Sequence, residues 1–225
     1  MNITTLLLKS INNQLRIIFK SAIINFVCMN FILNFFRKFY FRNKSDIKPQ
    51  TLICNNCLAG CILHDYNMRF DTPTINLWIP FPDYIKFLQR LEFFVNADFQ
   101  EIKEDGINYP IGLLGGEVKV YFLHYHSFSQ AVYKWKQRAK RIHWDNIKLI
   151  LVERDGCQSH DLNDFDSLPI TKKIALTRLN NPILNSAFHI KGYEDKKELG
   201  NIMSFKGVLG KKIYDQYDWY SFLKK

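Results

Sequence analysis

The stretch 127–156, SFSQAVYKWKQRAKRIHWDNIKLILVERDG, decides the fold class. It opens on a capping box, S-x-x-Q, after which apolar residues recur at helical spacing, and this pattern predicts a helix over 127–143. The almost wholly apolar run 147–152 then predicts a buried central strand, which ends at the turn sequence Asp155-Gly156. A long amphipathic helix followed by a buried strand is typical of α/β proteins.

The flanking sequence continues the alternation of strands and helices. Apolar runs predict strands over 51–54, 75–79, 109–114, 118–123, 174–177 and 187–190, and helical spacing predicts helices over 82–95, 161–168 and 214–223. Gly115-Gly116 is a tight hairpin signal between two of the strands. We therefore expect a three-layer α/β sandwich with a mostly parallel sheet plus a hairpin.

Composition and motifs exclude several classes of protein. A chain of 225 residues with 47% hydrophobic and 15% aromatic residues can bury a stable interior, which excludes general disorder and a disulfide-stapled mini-protein. The sequence contains no GxGxxG after a strand, no GxxxxGK[ST], no HExxH and no GxSxG. Dinucleotide-binding, P-loop, zinc-protease and hydrolase-elbow functions therefore lose support.

The net charge of +10 is unevenly distributed along the chain. Residues 1–48 contain eight Lys and Arg against Asp46 alone, a net of +7, so the remaining 177 residues carry +3. Such a domain has no general electrostatic reason to bind nucleic acid, and we expect no nucleic-acid partner. The hinge-like stretch near Pro49 separates a basic, apolar N-terminal segment, 1–48, from a single α/β domain, 49–225.

The N-terminal segment has an uncharged run, 21–36, that is interrupted by Asn25, Asn30 and Asn34. A spanning helix needs about 20 apolar residues, and a secretory signal needs a small-residue cleavage site, so both are disfavoured. We expect a basic amphipathic helical segment that binds the membrane surface. This would make the protein cytoplasmic and peripheral on the inner face of the cytoplasmic membrane. Docking on the domain or on a partner, and a genuine span, are the alternatives.

The cysteine pattern raises the question of a metal site. Cys54-x2-Cys57-x3-Cys61-x2-His64 supplies four soft ligands within eleven residues, as a tetrahedral zinc site would require. Compact structural zinc sites, however, usually draw ligands from two separated knuckles, so we predict free thiols and no metal. Five cysteines, an odd number, favour a reducing compartment over a disulfide framework. The sequence assigns no cofactor.

The loop after the first predicted strand is the first candidate for a substrate site. Asn55 and Asn56 could orient a ligand or donate to an oxyanion, and Gly60 would let a substrate approach. Cys57 would lie at a helix N-terminus, where the helix dipole favours a thiolate. The alternative is a packing thiol beside a tight turn.

Two further strand ends supply candidates for acid–base chemistry. His124 could act as a base, and Asp155 could orient it, which together with Cys57 makes a candidate catalytic set. The alternative for His124 is a core histidine with satisfied hydrogen bonds.

The long helix carries the basic run Lys134, Lys136, Arg138, Lys140 and Arg141. These residues lie opposite its apolar stripe, so a solvated face is one interpretation. The other is an anion site for a phosphate or carboxylate, with Arg138 and Arg141 on one face at i, i+3.

A colinear series of blocks resembles an uncharacterised bacterial family usually labelled exopolysaccharide biosynthesis protein. The blocks are Asn55-Asn56-Cys57 with Gly60, Asp71-Thr72-Pro73-Thr74, 82–88, Tyr109-Pro110-Ile111-Gly112, Phe122-Leu123-His124-Tyr125, 135–142, Trp144-Asp145-Asn146 and Arg154-Asp155-Gly156-Cys157. The family pattern includes Cys57 but neither Cys54 nor Cys61, which argues further against the metal cluster. The last block adds Arg154 to the substrate-binding candidates. The resemblance implies work on surface glycans and leaves the reaction unassigned.

Two classes of function follow from these residues and from the resemblance. In the first, the protein is a transferase of an acyl or glycosyl group in exopolysaccharide, capsule or lipopolysaccharide biosynthesis at the cytoplasmic membrane face. Its partners would be an activated sugar or acyl donor, a glycan acceptor and the membrane surface. In the second, it is a non-catalytic glycan- or membrane-associated accessory protein of the same machinery.

Overall fold

The computed structural model of the protein describes residues 46–206 and 210–225, together with Met29, 32–35, Arg37 and 39–41. Within this part of the chain the strands are β1 (Thr51–Cys54), β2 (Phe99–Ile102), β3 (Ile111–Leu114), β4 (Val118–Tyr121), β5 (Ile147–Val152), β6 (Lys173–Thr177) and β7 (Ala187–His189). The helices are α1 (Leu58–Asp65), α2 (Asp83–Gln89), α3 (Leu91–Asn96), α4 (Phe128–Ala139), α5 (Ser159–Asp166) and α6 (Trp219–Lys224), with a 3-10 helix at Ile213–Gln216.

The larger sheet has four parallel strands in the order β1-β5-β6-β7. Every residue of β5 is buried, because β5 lies inside this sheet and both of its faces are covered. Leu149 and Leu151 pack into one apolar core, whereas Ile150 and Val152 pack into the other. The sheet thus lies between two cores, and the expected layered α/β fold with a parallel sheet is confirmed.

The smaller sheet is antiparallel, in the order β2-β3-β4. The hairpin between β3 and β4 turns at Gly115 and Gly116, whose φ values are both positive, at 58° and 75°. The predicted hairpin is therefore confirmed. β2 was not predicted, because its sequence, FQEI, has two exposed central residues and no alternating pattern.

The sequence 75–79 was predicted as a strand and is not one. It is a largely buried loop segment that makes a single antiparallel bridge, Trp78 with Tyr121, through two backbone hydrogen bonds of 2.9 Å. The two rings also stack, with their centroids 4.2 Å apart. Burial produces the same apolar pattern in this loop as in a strand, so the sequence prediction of a strand was wrong.

The helix predictions are confirmed in position and corrected in extent. The Ser127 side chain caps α4 by accepting from Gln130 N at 3.2 Å, as the capping box predicts, and the helix ends at Ala139. The predicted helix over 82–95 is divided into α2 and α3 at Arg90, whose φ and ψ are −127° and 42°. The predicted terminal helix is likewise divided into the 3-10 helix and α6.

The described residues between 29 and 41 are helical and contact the α/β domain through Arg37 and Phe41, which are both buried. Arg37 donates to Asp65 and Asp215, to Tyr214 Oη at 2.7 Å and to Gly210 O at 3.0 Å. The described residues between 29 and 41 therefore dock on the domain, which was one of the alternatives for this segment. The rest of the predicted surface-binding segment lies largely outside the described residues.

Of the helices in the part of the chain that the structure describes, none has the length and apolarity that a bilayer crossing requires.

Candidate functional site

A cavity of about 650 Å³ lies where three strands end. Cys57 follows β1, His124 follows β4 and Arg154 follows β5, each within three residues of the strand's last residue. β1 and β5 belong to the parallel sheet, whose ligands bind at the carboxyl ends of strands, and β4 belongs to the antiparallel sheet. We call this cavity the strand-end pocket, and its chemically active lining residues are Cys57, Cys61, His64, His124, Arg154 and Lys212.

The Asn55 side chain links the end of β1 to the end of β5. Its side-chain oxygen accepts from Val152 N at 2.9 Å, and its amide nitrogen donates to Val152 O at 3.2 Å. The side chain is buried and replaces a missing strand-to-strand hydrogen-bond pair. Asn55 therefore has a structural contact, and its role in substrate binding stays a prediction.

Asn56 organises the start of α1. Its Oδ1 accepts from Leu58 N at 3.0 Å, a local turn that asparagine favours just before a helix. The same oxygen lies 3.5 Å from the buried Cys54 Sγ. Gly60, on α1, lines the pocket, and a Cβ there would lie 3.4 Å from Ile75 Cδ1. Of the predicted binding loop, Cys57 and Gly60 reach the pocket.

The Cys57 thiol is half-buried in the strand-end pocket, with its Sγ 3.8 Å from Leu77 O. Burial raises the pKa of this thiol to about 11, and the nearby Cys61 adds to the rise, whereas Arg154 opposes it. At neutral pH the group is therefore a thiol and not a thiolate. A nucleophilic role for Cys57 would require a base to remove its proton.

His124 and Asp155 do not form the predicted pair. His124 is exposed and lines the pocket, while Asp155 accepts from Arg154 Nε at 2.9 Å. Among residues 46–206 and 210–225, no hydrogen bond joins Cys57, His124 and Asp155. Burial raises the pKa of Asp155, and the neighbouring Arg154 opposes that rise. Among the described residues no hydrogen bond from His124 to Asp155 supports the orienting role of Asp155, which stays a prediction.

Asp155 instead shapes the turn after β5. Its φ is 57° and that of Gly156 is 86°, so the predicted turn uses two left-handed residues in succession. The Asp155 N–H donates to Glu198 at 2.7 Å, which fixes the loop to the C-terminal half of the chain. This turn aims Arg154 into the pocket.

The predicted phosphate-binding pair consists of Arg138 on α4 and Arg141 two residues beyond its end, and neither lines the strand-end pocket. Arg141 donates to Asp71 Oδ1 at 3.0 Å and to Phe70 O at 2.9 Å, and Arg138 donates to Tyr125 Oη. These guanidinium groups connect α4 to neighbouring loops. Neither residue is part of the pocket lining, so binding of a phosphate by Arg138 and Arg141 stays a prediction that these contacts do not support.

Comparison with known proteins gives the family. Residues 27–224 match the model of the domain of unknown function DUF1919. The chain belongs to this family. It is also 34% identical over 178 residues to an uncharacterized protein of Haemophilus influenzae, which covers 79% of this chain and 85% of that relative. The DUF1919 match includes the described helical residues between 29 and 41 as well as the α/β domain.

Lys212 and His64 line the strand-end pocket and were not among the substrate-site residues that sequence reasoning named. Lys212 lies 58 residues beyond Arg154 in sequence, just before the 3-10 helix, and no local motif marks it. His64 was considered as a metal ligand because it ends the cysteine series. It lies on α1, one turn after Gly60, and so faces the same cavity.

The four cysteines that the structure describes, Cys54, Cys57, Cys61 and Cys157, are free thiols. Cys54 is buried beneath the loop, and burial raises its pKa to about 12. Cys61 Sγ lies 3.6 Å from Met203 Sδ in the pocket wall. Within the part of the chain that the structure describes, no three His, Cys, Asp or Glu side chains come together as metal ligands.

Proposed function

We propose that this DUF1919 protein is a transferase that moves an acyl or glycosyl group onto an exopolysaccharide, capsule or lipopolysaccharide intermediate. The observation that carries the proposal is the meeting of Cys57, His124 and Arg154 from three separate strand ends in one pocket. A base that activates an acceptor and a cation for the leaving group are parts that group transfer needs, and Cys57 lies in the same cavity. The glycan substrate follows from the colinear blocks that resemble the exopolysaccharide biosynthesis family.

His124 is the general base in this proposal. It takes the proton from an acceptor hydroxyl as that oxygen attacks the transferred carbon. The bond between this carbon and the leaving group of the donor breaks, and its electron pair stays with the leaving group. Arg154 stabilises the negative charge that develops on the leaving group. Because the pKa of Cys57 is raised to about 11, direct transfer to the acceptor fits the pocket better than a covalent cysteine intermediate.

The test replaces His124 with alanine and measures the surface glycan. A host strain that lacks the native gene receives wild-type, His124→Ala or His126→Ala protein, and the composition of its surface polysaccharide is analysed. We expect His124→Ala to abolish the modification at a normal protein level. His126 is the matched control, because it is an exposed histidine two residues away that does not line the pocket.

A second pair of variants separates chemistry from folding. Trp135 is buried, and Trp135→Ala should cost about 3–5 kcal/mol and lower the melting temperature sharply. His124→Ala should leave stability within about 1 kcal/mol, since exposed side chains contribute little to packing. An unchanged glycan in both His124→Ala and Cys57→Ser cells would contradict the transferase and favour the accessory function.

We further propose that the protein binds the inner face of the cytoplasmic membrane through the helix that contains residues 29–41. Opposite its buried Arg37, this helix exposes apolar side chains, among them Ile32 at 49% and Phe39 at 68%. The sequence 1–48 carries a net charge of +7. An apolar helical face within a basic segment is the combination that binds anionic bilayer surfaces.

Vesicle binding by the full-length chain tests the membrane proposal. Replacing both Ile32 and Phe39 with serine should weaken binding to anionic vesicles at least tenfold, since each buried apolar side chain contributes about 1.5–3 kcal/mol. Tyr133→Ser, at an exposed aromatic residue of α4, is the control and should bind as the wild type does. High salt should weaken the charged part of the binding. Equal binding by the double variant would contradict the proposal.

A further inference from the structure

We infer that the strand-end pocket binds a ligand through a phosphate group held between Arg154 and Lys212. The inference names the chemical class of the ligand, and it rests on the proposed function where it treats that ligand as the transferase's donor or acceptor. The binding itself is argued from the charges and hydrogen bonds of the pocket.

Lys212 has no ion-pair partner among the described residues. Its ammonium group has no carboxylate within 4 Å and donates no hydrogen bond within the described residues. Its neighbours are the rings of Tyr214 and Phe205, with centroids 5.5 and 5.7 Å from Nζ. These rings favour a positive charge at this position but satisfy no N–H donor. The half-buried ammonium therefore keeps its hydrogen-bonding capacity for a ligand or water.

Arg154 is a cation that uses one of its five N–H donors within the described part of the chain. Asp155 accepts from Nε at 2.9 Å, and this contact fixes the direction of the side chain. Its two Nη groups donate to no acceptor within the described part of the chain. With Nε fixed, the two Nη groups present a planar pair of N–H donors, which can bind two oxygens of one phosphate.

The remaining lining residues favour an anion with an organic substituent. His64 and His124 offer imidazole nitrogens, and Asn76 and Asn201 offer amide groups. Among the described residues that line the pocket there is no carboxylate, and Asp155, which lies outside this lining, pairs with one edge of Arg154 only. Apolar walls come from Phe70, Leu123 and Met203.

Size and acceptor number favour a phosphate over other anions. A phosphate monoester carries about −1.5 to −2 charges at neutral pH and three acceptor oxygens, so it can accept from Lys212 and from both Nη groups of Arg154 at once, which a single carboxylate does less well. The volume of about 650 Å³ is that of a small-molecule site. A nucleic acid would need a basic stripe along an open surface, whereas these two cations line one cavity.

Calorimetric titration of the full-length protein with inorganic pyrophosphate tests the inference. We expect binding by the wild type and at least a tenfold loss of affinity in Lys212→Met and in Arg154→Met. Lys211→Met and Lys140→Met are matched controls, because both lysines are exposed and outside this lining. Both controls should bind as the wild type does. Unchanged melting temperatures identify the losses as losses of contact and not of folding.

Two larger probes identify the source of the phosphate. A nucleoside diphosphate represents a soluble donor, and a prenyl pyrophosphate in neutral detergent micelles represents a lipid carrier. Tighter binding of either probe than of pyrophosphate, lost in Lys212→Met, supports the site and names its source. Absence of pyrophosphate binding at millimolar concentration, or equal binding by Lys212→Met and Arg154→Met, would overturn the inference. Pyrophosphate binding by the wild-type protein does not depend on group transfer, so a failed glycan test would overturn the function without overturning the site.

Discussion

Two groups of basic side chains in the same domain differ in what neutralises them. At the Asp71 cluster, Arg69 and Arg141 lie 2.6 and 3.0 Å from one buried carboxylate oxygen, and His143 lies 3.1 Å from the other. In the strand-end pocket, Lys212 has no carboxylate partner among the described residues, and Arg154 has one for a single edge. The comparison separates cations that hold the fold from cations that remain able to bind a ligand.

The same distinction applies to the basic run 134–141, which extends from α4 into the residues after it. Arg141 belongs to a run of like charges, which in a sequence resembles an anion site. In the fold it is bound to Asp71 and to a backbone carbonyl. A partner that lies 70 residues away decides whether an arginine is structural or available.

Arg37 is the extreme case of a paired cation, and its loss should have the largest effect. Arg37→Met would leave Asp65 and Asp215 without their cation, and breaking a buried pair in this way costs about 3–5 kcal/mol. Urea unfolding of the full-length protein should show this loss. The matched control is Lys212→Met, whose unpaired cation should change stability by no more than about 0.5 kcal/mol.

The outcome also tests the docked position of the N-terminal helix. Gly210, with φ of 70°, lies so close to this helix that a Cβ there would meet the Leu33 carbonyl oxygen. If Arg37→Met and Lys212→Met were equally stable, the buried pairing of Arg37 would be contradicted, and with it the contrast between the two kinds of cation.

Asp71→Asn should have a smaller, pH-dependent effect of about 2 kcal/mol, because its cationic partners are partly exposed. Burial alone would raise the pKa of Asp71, but hydrogen bonds from Arg69, His143 and Arg141 outweigh it and hold this pKa below its ordinary value. A lowered folded pKa stabilises the protein above the unfolded pKa, about 4, and this contribution is lost as the pH falls through the folded pKa.

Urea unfolding of wild-type and Asp71→Asn protein at pH 7 and at pH 3 measures this difference. The two proteins should differ at pH 7 and approach each other at pH 3. Asp105→Asn is the control, at an exposed carboxylate with no ion pair within 4 Å among the described residues, and it should match the wild type at both values. A difference that stays constant with pH would contradict the assignment.

The sequence predicted most of the fold because local chemistry decides most of it. The apolar run of β5, the Ser127 cap of α4 and the Gly115-Gly116 turn each require particular residues at particular positions, and all three are confirmed. The failures have a physical reason. A buried loop at 75–79 has the composition of a strand, and the edge strand β2 has little apolar pattern.

The site was predictable in part. Cys57 and His124 could be named because each follows a predicted strand, and both line the pocket, whereas Arg154 was named through the family resemblance. Lys212 could not be found, because its position depends on how the C-terminal segment returns across the sheet. Whether Asn55 binds a substrate or joins two strands is likewise decided by Val152, which lies 97 residues away.

The most direct test of the central claim, that the strand-end pocket is the ligand site, uses the histidine rings as reporters in a pyrophosphate titration followed by NMR. The chain has six histidines, of which His64 and His124 line the pocket and His143 belongs to the Asp71 cluster. We predict saturable shifts of the His64 and His124 ring signals, with His143, His160 and His189 unchanged, and loss of these shifts in Lys212→Met. Shifts centred on His143, or uniform shifts that persist in Lys212→Met, would contradict the claim.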